Sequence, residues 1–375
     1  MPTSRTARRS VTAAAVITAF SLGSLAPVHA GATTPTVYDG PYQWVEEFDS
    51  PESLNRWTIF DQPDYKNEKL VLTPDAVQVR DGMLEITTAR HCISEQGEAL
   101  TEDNIVEDPC PEGKITRYTS ARLQTDWIAT GVFTMETRAK IVTGGEDGLR
   151  SAIWMQNNHR TCSRGDSDSL YGELDLVEHY SWPWRSKQSV STVHFSCDEN
   201  GTKRAGRIFT EGKDLADEWQ TWKVETSPDA LKFFVNGKPA LYDDTPPYDE
   251  RDHITFDDLR TTDKQFTKIL DQSWRIILNQ YVENQSWAHP ASDADPFPVR
   301  KMYVDRITLE GRPLTDDELG IAPAPPASGS SSQLPDSSGG ILGALVGILT
   351  LIALIAFPIA GWLHTRAATP TIFRI

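Results

Sequence analysis

The central part of this 375-residue chain reads as an all-β sandwich. Residues 132–141 alternate, with Phe133, Met135, Ala139 and Ile141 on one face and Thr134, Glu136, Arg138 and Lys140 on the other. That is the period of a half-buried strand. A second apolar run, residues 231–235, ends in Asn236-Gly237, the strongest short-range hairpin signal. Strong helical periodicity is missing, and about 275 residues of this character suit one large sandwich. No internal repeat is visible.

At the amino terminus Arg5, Arg8 and Arg9 precede an apolar run over residues 11–25. Small residues follow at the cleavage positions of Val28-His29-Ala30. This is the layout of a secretory signal peptide covering residues 1–30 and cut after Ala30. A spanning helix suits the run less well, because it is short and broken by Ser21, Gly23 and Pro27. The net charge of -17 and the lack of a basic patch with interleaved aromatics argue against nucleic acid and anionic lipid as partners. A neutral polysaccharide is not repelled.

Four cysteines, Cys92, Cys110, Cys162 and Cys197, lie in the exported region. An even count in an oxidising compartment favours two disulfides, with three possible connectivities. Cys92–Cys110 would staple an acidic, proline-bearing insertion. Cys162–Cys197 would tie the loop before the most acidic strand to a later strand. These are the expected pairs, each adding about 3 kcal/mol in the chain-entropy picture. No Cys-x-x-Cys occurs, so a zinc or redox site is a poor reading.

The most informative stretch is Gly172-Glu173-Leu174-Asp175-Leu176-Val177-Glu178-His179-Tyr180. On a strand, Glu173 and Asp175 share one face while Leu174 and Leu176 take the other. Strict alternation would then drive Glu178 into the apolar face, which is costly for an unpaired carboxylate. A bulge adding one residue between Asp175 and Glu178 returns Glu178 to the acidic face. A helix does not rescue the pattern, since Glu173 and Glu178 would lie about 140° apart. Three acids on one face repel, which raises at least one pKa and leaves another group ionised. Glycoside hydrolysis needs that combination of a proton donor and a carboxylate. An acidic solvated strand or a metal site is the plainer alternative.

The stretch resembles the Glu-x-Asp-x-x-Glu signature of glycoside hydrolase family 16, in the bulged form of its laminarinase-like, endo-β-1,3-glucanase members. Weaker matches keep the family's order: Trp44-Val45-Glu46-Glu47-Phe48-Asp49, Asp81-Gly82-Met83-Leu84, Tyr118-Thr119-Ser120-Ala121-Arg122, Glu136-Thr137-Arg138-Ala139-Lys140, Val193-His194-Phe195, Val235-Asn236-Gly237-Lys238 and Tyr303-Val304-Asp305-Arg306-Ile307. The resemblance covers residues 37–312. Two segments depart from it where the family shapes its cleft. Leu149-Arg150-Ser151 replaces the usual Trp-Pro-Ala before Trp154, and Asn279-Gln280-Tyr281-Val282-Glu283-Asn284 lacks the usual Gly-Gly pair.

The resemblance implies a concanavalin A-like β-jelly roll with a concave sheet forming a glycan cleft. It implies a retaining endo-glycosidase acting on β-1,3 or mixed β-1,3/1,4 glucan, with no cofactor in the chemistry. Position by position, Glu173 matches the nucleophile and Glu178 the general acid/base, with Asp175 between them. Glu178 is then the group expected to hold the raised pKa. Trp154, Trp182 and Trp184 are candidate stacking platforms for sugar rings, with core packing the alternative. His194 occupies the family's histidine position, and Asn279 and Trp287 fall in the late segment lining the cleft. Glu47, Gly82 and Asp305 match positions that hold a structural calcium in many members. A transglycosylase remodelling surface glycans is a second enzymatic reading. A non-catalytic glycan receptor on the same fold is a third, disfavoured by the presence of all three acids.

A polar insertion, residues 243–271, has no place in this pattern and is expected to border the cleft. After residue 312 the composition changes. A helical turn is expected at Thr315-Asp316-Asp317-Glu318-Leu319, within a Pro/Ser/Gly-rich linker at 313–340 that cannot bury apolar surface. Residues 341–363 carry no charge and are long enough to span a bilayer. Arg366 and Arg374 follow, which places the tail 364–375 inside and the sandwich outside. The expectation is a monomer exported to the outer face of the cell membrane and anchored there by a single C-terminal helix.

Overall fold

The computed structural model describes residues 38–63, 69–141, 148–159, 161–162, 165–166, 168–180, 187–198, 201–210, 215, 218–241, 251–284 and 290–322. The signal peptide, most of the linker, the apolar run 341–363, and Trp182, Trp184 and Trp287 lie outside them. Among the described residues no helix is long and apolar enough to cross a membrane.

The strands in chain order are β1 (Tyr42–Glu46), β2 (Trp57–Ile59), β3 (Leu70–Leu72), β4 (Val77–Arg80), β5 (Met83–Ser94), β6 (Lys114–Ser120), β7 (Arg122–Thr125), β8 (Val132–Lys140) and β9 (Leu149–Asn157). They continue as β10 (Gly172–Tyr180), β11 (Gln188–Asp198), β12 (Gly201–Thr210), β13 (Gln220–Thr226), β14 (Ala230–Val235), β15 (Lys238–Pro239), β16 (Ile254–Thr255), β17 (Trp274–Val282) and β18 (Arg300–Arg312). One sheet has eleven strands, with the path β15-β14-β13-β8-β18-β5-β6-β3 and β1, β16 and β4 alongside. The other has seven, in the order β12-β11-β10-β9-β17-β7-β2. Apolar faces of both sheets meet in one core, where Met135, Trp222 and Leu309 from the first join Leu174, Val177 and Ile276 from the second. The expected sandwich is therefore present. Strand β8 alternates as its sequence requires, with Phe133, Met135 and Ala139 buried. Asn236-Gly237 turns β14 into β15 with both residues at positive φ.

The expected bulge is in β10. Its pairing with β9 runs Asp175 opposite Trp154 and then Val177 opposite Ile153, so Leu176 is the extra residue. Leu174, Leu176 and Val177 all enter the core, at 0%, 1% and 0% exposure. Glu178 thereby returns to the face of Glu173 and Asp175.

Part of the unplaced insertion is structural. Helix α1 (Asp263–Leu270) is capped by Thr262, whose side chain accepts from the Gln265 N–H. It buries Phe266, Ile269 and Leu270. Phe266 lies against Phe195 of β11 with ring centroids 5.3 Å apart. Helix α1 of the insertion therefore packs on the core, and residues 243–250 lie outside the described residues. Its apolar spacing is too short to stand out as helical periodicity. Beyond 312, Leu314 is still buried, and the helical turn at 315–319 is present, closed by Leu319 N–H to the Thr315 carbonyl. Glu318 holds Arg312 through two oxygens at 2.7 and 2.8 Å. The folded unit thus outlasts the expected boundary at 312.

The two disulfides are Cys92–Cys110 and Cys162–Cys197. The second holds the loop before β10 to β11. The start of β10 is fixed by Asn157, whose Oδ1 accepts from Gly172 N–H and whose Nδ2 donates to the Leu170 carbonyl. A methyl at position 172 would lie 2.5 Å from Trp274 Cη2 and 2.9 Å from Ile269 Cγ2. Gly172→Ala is expected to lower stability by about 1–3 kcal/mol through overpacking. Urea unfolding checks this, and an unchanged midpoint would show that the neighbours yield freely.

Candidate active site

Register across the seven-stranded sheet sorts the side chains into rows. Glu173 stands opposite His194 on β11 and Gln156 on β9. Glu178 stands opposite Ala152, which faces Asn279 on β17, which faces Arg122 on β7. Tyr180 stands opposite Arg150, which faces Tyr281. A cavity of about 290 Å³ opens over these rows, lined by all three acids with Trp154, Asn279 and Arg150. The small Ala152 leaves its floor open. A larger depression, about 570 Å³ and lined by Tyr42, Phe133 and Gly311, holds no grouping of carboxylates.

Each outer acid is held by a tyrosine two residues away along the chain. Tyr171 Oη donates to Glu173 Oε2 at 2.6 Å, and Tyr180 Oη donates to Glu178 Oε1 at 3.0 Å. Burial, with an anionic neighbour, raises both phenols, so both remain donors. Neither tyrosine is picked out by a motif. Their signal was the spacing of two residues along a strand, which puts Tyr171 beside Glu173 and Tyr180 beside Glu178.

Asp175 is buried between them. Burial, then the charges of Glu173 and Glu178, push its carboxyl up to about 8. His194 Nε2 lies 3.3 Å from Asp175 Oδ2 and 3.9 Å from Glu173 Oε1. Burial opposes charge on His194, but hydrogen bonding to Asp175 and the surrounding acids outweigh it and raise the imidazole. Asp175 and His194 thus form a hydrogen-bonded pair beside Glu173. The central carboxyl is pushed up because Asp175 is the most deeply buried of the three.

Trp154 and Asn279 are brought together as expected. The indole Nε1 donates to Asn279 Oδ1 at 2.7 Å. The Arg122 guanidinium lies 5.1 Å from the Trp154 ring centroid. Trp154 is half-buried, with the rest of its surface in the cavity. Asn279 is 1% exposed, and its Nδ2 has no protein hydrogen-bond partner.

Glu173, Asp175 and His194 present atoms within 4.8 Å of one another, a spacing that a cation tolerates and that displacement chemistry uses without one. The proposed calcium positions fit poorly. The pairings of β1 and β5 with β18 bring Glu47, Gly82 and Asp305 to one region. There Glu47 pairs with Arg306 at 3.1 Å and Asp305 pairs with Arg138. Two guanidinium charges among these acids oppose a divalent cation.

Asp175→Asn separates burial from charge. A carboxyl with a raised folded pKa is free of penalty below its unfolded value and loses stability as pH rises through the folded value. The variant should therefore gain stability relative to the parent between pH 4 and pH 8, the window set by the value of about 8. Melting temperatures across that range check the sign, and a gap that narrows with rising pH would contradict it.

No family model matches the sequence, and no curated protein matches it. Solved structures do. An endo-β-1,3-glucanase from Pyrococcus furiosus aligns over 72% of this chain and 93% of its own, at 22% identity and a TM-score of 0.51. A structure reported with endo-acting O-glycanases of the human gut microbiota aligns over 77% and 97%, at 20% identity and 0.51. SCLam, a non-specific endo-β-1,3(4)-glucanase from family GH16, aligns over 74% and 94%, at 20% identity and 0.50. The chain has the jelly-roll fold of the family 16 endo-β-glucanases.

Proposed function

We propose that this chain is a retaining endo-glycosidase that hydrolyses β-linked glucan, with β-1,3 or mixed β-1,3/1,4 linkages. The observation carrying this reading is the convergence of Glu173, Asp175 and Glu178 on one face of a bulged strand, at an open cavity. The activities printed for structures of the same fold agree with it.

In the first step Glu178 gives a proton to the glycosidic oxygen while a Glu173 oxygen bonds to the anomeric carbon. The carbon–oxygen bond to the leaving sugar breaks, and that sugar departs with the proton. In the second step Glu178 takes a proton from water, the water oxygen bonds to the anomeric carbon, and the bond to Glu173 breaks. Tyr171 holds Glu173 Oε2, which leaves Oε1 for attack. As Glu173 loses its charge to the sugar, repulsion on Asp175 relaxes, so Asp175 and His194 adjust the field during the cycle. Trp154 offers an aromatic face for a sugar ring, and Asn279 Nδ2 offers a donor to a hydroxyl.

Proton NMR of the first product, before mutarotation, should show the β-anomer. An α-anomer would remove Glu173 as nucleophile. Glu173→Gln should abolish turnover. Glu178→Gln should lose about 10²–10⁴-fold on glucan while sparing an activated aryl glycoside, and azide should yield a β-glycosyl azide. Longer products accumulating at high glucan concentration would favour the transglycosylase. Binding without cleavage by the parent protein would favour the receptor.

The chain is further proposed to act outside the cell, delivered by residues 1–30 and anchored by residues 341–363, the charge-free run after the Pro/Ser/Gly spacer. The full chain should then fractionate with membranes, and a chain ending at Leu319 should be released as active protein. Uncleaved full-length protein free in the medium would refute the anchor.

A further inference from the structure

The two segments at which the sequence parts from the family pattern meet in space. Arg150 of β9 and Glu283, just past β17, form an ion pair at 2.8 Å. The same guanidinium donates through its other terminal nitrogen to Glu178 Oε1 at 3.2 Å. It lies between Tyr180 and Tyr281, 5.8 and 5.6 Å from their ring centroids. The Arg150 side chain is 15% exposed and that of Glu283 6%, so neither is a loose surface group. Both hydrogen bonds to Glu178, from Arg150 and from Tyr180, fall on Oε1.

We propose that Arg150 and Glu283 are a positioning pair for Glu178, anchoring Oε1 so that Oε2 is the oxygen presented to the glycosidic bond. This rests on the reading of Glu178 as acid/base. The two arms of the guanidinium fork go one to each carboxylate, a planar bridge of fixed direction that a single ammonium does not make. Its charge, however, favours the ionised carboxylate, which suits the water-activating half of the cycle and opposes the proton-donating half. Glu283 offsets that bias by drawing the same guanidinium toward itself. The other charged or titratable groups facing Glu178 are Asp175, Glu173 and Tyr180 on its own strand, His194 on β11, Tyr281 on β17 and Arg122 on β7. Arg150 touches both Glu178 and Glu283.

Three variants of the intact protein separate charge from geometry. Arg150→Met should move the basic limb of the kcat/KM profile up by about one pH unit, since a neighbouring cation is lost. Glu283→Gln should move it down by a similar amount. Arg150→Lys should leave the limb near its original place yet lower kcat on glucan about 10-fold or more, with an activated aryl glycoside less affected, because charge is kept and the fork is lost. Shifts of the same sign in Arg150→Met and Glu283→Gln, or full kcat in Arg150→Lys, would overturn the proposal. A substrate-free readout keeps it separable from the hydrolase reading. The ¹³C-carboxyl glutamate resonance absent from Glu178→Gln should titrate with midpoints displaced in opposite directions in Arg150→Met and Glu283→Gln. If that holds while no glycan is cleaved, the positioning pair stands and the hydrolase reading falls. If Arg150→Met does not fold, Glu283→Gln carries the test, and an unmoved midpoint there refutes the pair.

Discussion

One extra residue in β10 decides whether this molecule has a site. With a strand period of two, a single slip moves every later side chain to the opposite face. Leu176 absorbs that slip. It enters the core beside Leu174 and Val177, so the bulge costs no buried polar group on the apolar side. On the other side it delivers Glu178 to the row of Ala152 and Asn279 instead of the sandwich interior. The disulfide Cys162–Cys197 and the Asn157 side chain hold the strand's beginning, so register is set before the bulge is reached.

The electrostatics follow from that placement. Three carboxylates on one strand face cannot all be ionised in a partly dry cleft without large mutual repulsion. The deepest one, Asp175, is raised, and His194 across the strand pair lies within 3.3 Å of it. The outer two are each held by a tyrosine that burial keeps protonated. The arrangement therefore contains two tyrosine-anchored carboxyls and a buried Asp175–His194 pair within a few side-chain lengths. Cations enter sparingly: Arg122 against Trp154, and Arg150 between Glu178 and Glu283.

Fold likeness at about a fifth sequence identity is what this physics allows. A sandwich needs apolar residues at alternate positions, and many sequences meet that need. Family-level likeness therefore says little about the cleft, where residues face ligand instead of core. Arg150 on β9 and Glu283, just past β17, face the cleft from strands that also contribute Ile153, Met155, Ile276 and Leu278 to the core.

The amino acids alone determined the strand character of residues 132–141, the Asn236-Gly237 hairpin, the bulge in β10 and the three acids it aligns. These depend on local period and turn chemistry, which short stretches carry in full. The cysteine count left three connectivities open, and the pairs expected from their placement, Cys92–Cys110 and Cys162–Cys197, are those present. That Asp175 is pushed up was not legible in the sequence, because depth of burial belongs to the packed sheet and not to the order of residues. Helix α1 was hidden because eight residues give too few turns for a periodic signal, and its burial against Phe195 comes from β11, far away in sequence. Arg150 and Glu283 became part of the site only when β9, β10 and β17 lay side by side, whereas Tyr171 and Tyr180 sit two residues from the acids they hold. Cross-strand contacts join residues more than a hundred positions apart, and only the tertiary structure decided which of them meet.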